Sequence, residues 1–304
     1  MSTTNNRALS TTSVRGLRHE LPPMRLWQKA KKLGIWNPLD IDFTQDKRDW
    51  QGMQEIEKDY LLRLCSQFLA GEESVTLDLL PLIMTVAEEG RIEEEIYLTS
   101  FLWEEAKHVE GFRRFLDEVA QEHGDLTCFG NAAYNKIFYE ELPGAMNRLR
   151  TDTSVEAQVR ASTTYNMVIE GVMAETGYYA FHKVLTNNNL MPGMQQFVAN
   201  LKRDESRHIA FAVYFLSRLV AEHGDTAWNA FETRMHELLP LVIESNNLDT
   251  QVYEGHIAFD LDVNEFNEYA TTQFQKRFAR LQKARMQSLE EINSIANNLD
   301  EALA

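Results

Sequence analysis

The chain has little that punctuates or cross-links a fold. Seven prolines and 14 glycines in 304 residues leave few places to break a helix or turn a hairpin. No stretch alternates polar and apolar residues as a half-buried strand must. Two cysteines, Cys65 and Cys128, exclude a disulfide framework and stand in no metal-binding pair spacing, so a reducing cytoplasm is the expected compartment. No apolar run approaches the roughly 20 residues of a membrane span, and the first 20 residues or so lack the apolar stretch of a secretory signal. Cations are in the minority, with 30 Lys and Arg against 46 Asp and Glu and a net charge of -16. That balance speaks against a nucleic-acid partner, whose phosphates need clustered Lys and Arg.

What the chain does have is helical period: apolar residues recur every three or four positions along most of its length. A helix opened by the acidic stretch 46–49 is expected to run through Leu61, Leu64 and Phe68 until Pro81 kinks or ends it. Further helices are expected over 92–123, closed by Gly124, and over 131–149, interrupted by Pro143. Others follow from a cap at Thr153 or Ser154 to Leu185, from Pro192 to Gly224, over 226–246 and over 263–296. Segments of roughly 20–30 residues exceed the ordinary mean of about 11–12 and suit a helix bundle. Residues 1–20 are expected to form a flexible tail ahead of Pro22-Pro23, and 21–304 a single domain, since no linker divides them.

Polar residues interrupt the apolar stripes at four places. Glu105 and His108 replace apolar residues between Phe101 and Phe112, and Glu205 and His208 do so between Leu201 and Ala212. Glu72 stands between Phe68 and Val75, and Glu170 between Met167 and Met173. A Glu and a His three residues apart share a helix face and can reach one ion. By counting alone the Glu-x-x-His pair is a weak signal, since glutamate is abundant and there are eight histidines. Placement is stronger. A buried carboxylate costs several kcal/mol unless paired or coordinated, and these stripes hold no Lys or Arg. One Glu from each of two helices, with Glu-x-x-His from each of two others, is the ligand pattern of ferritin-like di-metal carboxylate bundles. The expected fold is therefore all-α, a ferritin-like four-helix core extended by additional helices. Four carboxylates and two neutral imidazoles nearly offset two divalent ions, and oxygen-rich ligation suits iron or manganese over thiolate-favoured metals. Spacing leaves zinc open, as it does a purely structural set of buried Glu-His pairs. The two blocks also echo each other, Glu104-Glu-Ala-Lys-His108 against Asp204-Glu-Ser-Arg-His208.

At these residues the sequence resembles the ribonucleotide reductase small-subunit superfamily, and in particular its ligand-binding oxidases with a manganese/iron cofactor. The likeness runs from about Trp36 to Phe278. It rests on Gly71-Glu72-Glu73 with Val75, the 105–108 block, Val159-Arg160-Ala161 leading to Tyr165, and Glu170-Gly171. The resemblance implies that Glu72, Glu105 and His108 hold manganese and that Glu170, Glu205 and His208 hold iron, with at least one glutamate bridging; di-iron is the other possible pair. It further implies a tyrosine–valine ether bond between Tyr165 and Val75, formed when the reduced metals meet O2. A long-chain fatty acid with its carboxylate on the metals, an electron donor, oxidation of a hydrocarbon or lipid substrate, and a homodimer complete what it implies. From spacing alone Val75 lies one turn from Glu72 on the same face. Tyr165 does not follow: five residues before Glu170 it should lie about 140° round an α-helix.

Two other readings share the ligand set. A manganese/iron reductase small subunit would store a radical for a partner enzyme. The resemblance places the usual radical tyrosine four residues after the first His, where this chain has Phe112, and expects a C-terminal tyrosine, whereas nothing aromatic follows Phe278. A ferritin-like iron store would leave the extra helices unexplained.

Overall fold

The computed structural model describes residues 9–251 and 258–294, and among them every regular element is helical. Four helical rods form the centre. The first is α3, Glu55–Asp78, after the shorter α1, Pro22–Leu33, and α2, Thr44–Gly52. The second is α5, Ile92–Phe115, reached through α4, Leu80–Glu88. The third begins after α6, Ala132–Lys136, and α7, Leu142–Arg148. It joins α8, Val155–Ser162, through the π-helical turns Thr163–Ala174 to α9, Glu175–Phe181. The fourth is α10, Pro192–His223, the longest at 32 residues. α11, Asp225–Gln251, α12, Val263–Ala284, and α13, Leu289–Ser294, complete the chain. α3 packs on α5, and α10 packs on both α5 and the π segment, while α1, α11 and α12 lie against the outside of these rods. This is the expected bundle with added helices.

Helix ends follow local chemistry, and several differ from the expected limits. The helix predicted from 46 is two helices: α2 ends at Gly52, and Gln54 and Glu57 form a capping box that starts α3 afresh. Pro81 lies in the first turn of α4, where its missing N–H costs nothing, and Pro143 opens α7 likewise. The helix from 92 stops not at Gly124 but at Gln121, which takes a left-handed φ of 54° after a π turn over Leu116–Ala120. Ser154 is the cap of α8, accepting from the Ala157 amide at 3.3 Å. Gly224 closes α10 with a φ of 57°, which a residue without Cβ adopts freely. α12 ends at Ala284, short of the single helix expected over 263–296; positions 295 and 296 lie outside the described residues. In the segment expected to be a tail, Arg15 donates twice to Glu93 (3.0 and 2.8 Å) and the Arg18 amide once, so this part is fastened to α5. Residues 1–8 lie outside the described residues.

The core is divided in two. One apolar cluster contains Val75, Phe101, Tyr165 and Phe215, and the other contains Cys65, Phe112, Tyr178 and Phe197. Along α3, α5 and α10 the change from one cluster to the other falls at Glu72, at Glu105–His108 and at Glu205–His208. The interrupted stripes are thus one polar layer across the middle of the bundle. No helix among the described residues is long and apolar enough to cross a membrane.

Candidate metal centre

The polar layer brings all six expected residues together. Glu72 comes from α3, Glu105 and His108 from α5, Glu170 from the π segment, and Glu205 and His208 from α10. All six are buried, both histidines completely. They form two groups of donor atoms, each lying within 4.8 Å of one another. One group is Glu72, Glu105, His108 and Glu205, and the other is Glu105, Glu170, Glu205 and His208. Glu105 and Glu205 belong to both, so two carboxylates lie between the groups, within the expectation of at least one shared glutamate. His108 Nδ1 lies 3.3 Å from Glu72, 3.6 Å from Glu105 and 3.4 Å from Glu205. His208 Nδ1 lies 3.0 Å from Glu105, 3.6 Å from Glu170 and 3.3 Å from Glu205.

Several of these atoms are buried with no hydrogen-bond partner: Glu105 Oε2, Glu170 Oε1, Glu205 Oε2 and His208 Nδ1. Unpaired polar atoms in a protein interior are costly, and four converging on one space fit two oxygen- and nitrogen-seeking cations. Titration reflects the same crowding. Burial pushes the carboxyls of Glu72 and Glu170 well above the usual range and raises Glu205. Burial acts on Glu105 as well, but the two histidines beside it, led by His108, outweigh it and hold that carboxyl down. Desolvation works against charge on the imidazoles; the carboxylates, led by Glu72 at His108 and Glu205 at His208, outweigh it and raise both well above their usual value.

A second tier orients the ligands, and sequence reasoning missed it. His208 Nε2 meets Glu104 at 2.9 Å, and His108 Nε2 faces Asp204 at 3.4 Å. Each block thus supplies the carboxylate that holds the other block's histidine, turning Nε2 outward and leaving Nδ1 as the ligand atom. Lys107 and Arg207 do lie off the ligand stripe, yet they are buried. Lys107 donates to Asp204 (3.0 Å), and Arg207 donates to Glu104 (2.5 Å) and to Asp204. Trp36 Nε1 also donates to Asp204, at 2.8 Å. The block echo was the available signal: the first acid of each block is the partner of the other block's last residue.

Tyr165, which α-helical geometry turned away, is completely buried and its hydroxyl lies 3.5 Å from Glu105 Oε1. The reason is the π segment. Its i→i+5 hydrogen bonds, such as the Glu175 amide to the Glu170 carbonyl, put residues five apart on adjacent turns. Asn166 then donates to Glu170 Oε2 at 2.9 Å, while its carbonyl accepts from Ser162 at 2.9 Å.

A channel of about 160 Å³ ends at this cluster. Glu72, Glu105, Glu170, Glu205 and Val75 line its inner end, and Phe68, Gly71, Phe138, Ile169 and Met173 its walls. Arg63, Gln67, Ser245 and Asn246 also line it.

Fold and cluster together define a ferritin-like helical protein with a carboxylate–histidine centre. The ribonucleotide reductase small-chain model matches residues 22–286, and the chain belongs to that family, in its branch of R2-like ligand-binding oxidases, which are oxidoreductases. An R2-like ligand-binding oxidase with an aerobically reconstituted Mn/Fe cofactor is 40% identical, with a TM-score of 0.85 over 89% of this chain and 96% of that one. The corresponding oxidase from Sulfolobus acidocaldarius is 39% identical, with a TM-score of 0.87 over 95% and 99%. A variant of such an oxidase with an anaerobically reconstituted Mn/Fe cofactor is 40% identical, with a TM-score of 0.85 over 90% and 98%.

Proposed function

We propose that this chain is an O2-activating oxidase in which Glu72, Glu105 and His108 hold manganese, and Glu170, Glu205 and His208 hold iron. When bound, the reduced metals supply two electrons to O2 and the oxidising power to break a nearby C–H bond. Glu105 and Glu205, which belong to both donor groups, would be shared by the two ions, and carboxylate ligation would keep the buried charge near zero. Glu104 and Asp204 hold the histidine rings in place. Val75 presents an apolar C–H at the inner end of the channel, and Tyr165 presents its O–H to Glu105. An ether bond between the two removes one hydrogen from each, that is two electrons and two protons. With two further electrons from the metals and two further protons, one O2 becomes two waters.

The observation that carries this reading is the channel, which brings Val75 and the glutamates to one enclosed end. Its apolar walls suit a long-chain fatty acid whose carboxylate sits on the metals, and the substrate is a hydrocarbon or lipid oxidised by two electrons. A manganese/iron small subunit does without the radical tyrosine and is told apart by the ether bond; the tyrosine-radical form is answered at Phe112. That side chain is buried and stacked on Phe68 at 5.2 Å, with no hydroxyl where such subunits keep a tyrosine.

The test is reconstitution of metal-free protein with Mn(II) and Fe(II) without oxygen, followed by air and tryptic mapping. A Val75 peptide joined to a Tyr165 peptide and two hydrogens lighter is expected. Separate peptides after full metal oxidation would remove the oxidase reading and favour a reductase small subunit.

A further inference from the structure

α11 and α12, which a bare four-rod bundle would not need, both pack on the π segment. Each sends one buried arginine into it, Arg234 from α11 and Arg277 from α12. Arg277 Nε donates at 3.3 Å to the carbonyl of Gly171, the neighbour of Glu170. Only a glycine admits it so closely: a Cβ on Gly171 would lie 3.0 Å from Arg277 Nε and 3.1 Å from the Asn166 carbonyl oxygen. Arg234 Nε donates at 2.8 Å to Oγ1 of Thr164, the neighbour of Tyr165. That hydroxyl donates in turn to the Arg160 carbonyl at 2.7 Å. The far side of the Arg234 guanidinium is fixed by Glu141 at 2.8 Å and Glu237 at 3.1 Å.

π winding is rare and is ordinarily a single-turn bulge within an α-helix, whereas here it runs for twelve residues. Its competitor is the ordinary α winding, which would put Tyr165 about 140° round the rod from Glu170. We infer that Arg234 and Arg277 are positioning residues that hold this segment in its π winding, one beside Tyr165 and the other beside Glu170. The catalytic part of the inference rests on the oxidase reading. To that reading it adds the task of the outer helices: they keep the Tyr165 hydroxyl and the Glu170 carboxylate on the cluster at the same time. Guanidinium groups suit the task, because a planar fork fixes direction and its charge strengthens a bond to a neutral oxygen.

The experiment replaces each arginine in the full-length chain by Met and, separately, by Gln. Gln carries an amide nitrogen at the same number of bonds from the backbone as arginine Nε, whereas Met has no donor there. Both substitutions remove the charge, so the difference between them reads the hydrogen bond alone. Thermal melting checks folding, and metal titration checks loading. In the metal-free chain, Arg277→Met and Arg234→Met are expected to speed amide exchange about tenfold in peptides covering 163–174, with the other rods unchanged. After loading and air, fusion of the Val75 and Tyr165 peptides should be about 10–100-fold slower, although both metals bind and oxidise. Arg277→Gln and Arg234→Gln should recover most of both readouts. Wild-type exchange over 163–174 in the Met variants overturns the inference. So does equal loss in the Met and Gln variants, or faster exchange spread evenly over the chain, which is what a merely structural role would produce. The peptide map reads the oxidase assignment separately: a wild-type fused peptide that neither Met variant slows removes the positioning role alone. Slow exchange that depends on both arginines, without any fused peptide in wild type, removes the oxidase reading and the catalytic role, leaving only a clamp on the π segment.

Discussion

Glu104 and Asp204 touch opposite histidines, so substitutions at these two residues should separate the halves of the cluster. Glu104→Gln is expected to weaken the metal held beside His208, and Asp204→Asn the one beside His108, each by about 10–100-fold. Metal titrations read by electron paramagnetic resonance distinguish the two sites. Equal loss at both, or at neither, would refute the crossed arrangement. Tyr165→Phe removes only an oxygen and keeps the ring against Phe101, whose centroid is 5.8 Å away. Stability should stay within about 1 kcal/mol, both metals should bind, and the fused peptide should disappear from the map.

At the scale of elements, close approach between rods is set by small residues. A Cβ on Gly111 of α5 would collide with the ring of Phe197 from α10, which itself packs edge-on against Phe112 at 4.9 Å. Gly111→Ala should therefore destabilise the protein by about 1–3 kcal/mol, the ordinary range for overpacking, measured by urea unfolding. An unchanged midpoint would mean that α10 moves away freely. The π segment acts at the same scale. Twelve residues over Thr163–Ala174 carry both Tyr165 and Glu170, and an uninterrupted α-helix would point one of them away from the cluster.

For the whole molecule, four carboxyls and two imidazoles in one buried layer make stability depend on pH and on metal. In the metal-free chain, Glu72, Glu170, Glu205 and both histidines have folded pKa values raised above their unfolded ones. Their contribution is complete below the unfolded values, about 4.3 for Glu and 6.5 for His. It is lost as pH rises through the folded values. Metal-free protein should thus lose thermal stability as pH rises above these unfolded values, first for the glutamates and then for the histidines, and the loaded protein much less. Loading at pH 7 should also release protons, because the cations displace them from these groups. Metal addition in weakly buffered solution with an indicator dye checks this, and no acidification would contradict the assigned pKa directions.

The sequence by itself determined the helical class, the bundle and the six cluster residues. Each of these follows from a local cause, the three-to-four-residue period and the cost of a polar side chain on an apolar stripe. The block echo was visible, but its meaning was not, because Glu104 meets His208 across two helices and 104 residues of chain. Only the tertiary structure decided that partnership, the burial of Lys107 and Arg207, and which two glutamates belong to both donor groups. Tyr165 marks the boundary most clearly. Its distance along the chain was known, but its direction depends on whether the helix winds as α or π, and the hydrogen bonds of the folded rod decide that. The channel belongs to the same class: its walls come from α3, the π segment and residues 134 and 138, which adjoin only when the bundle closes.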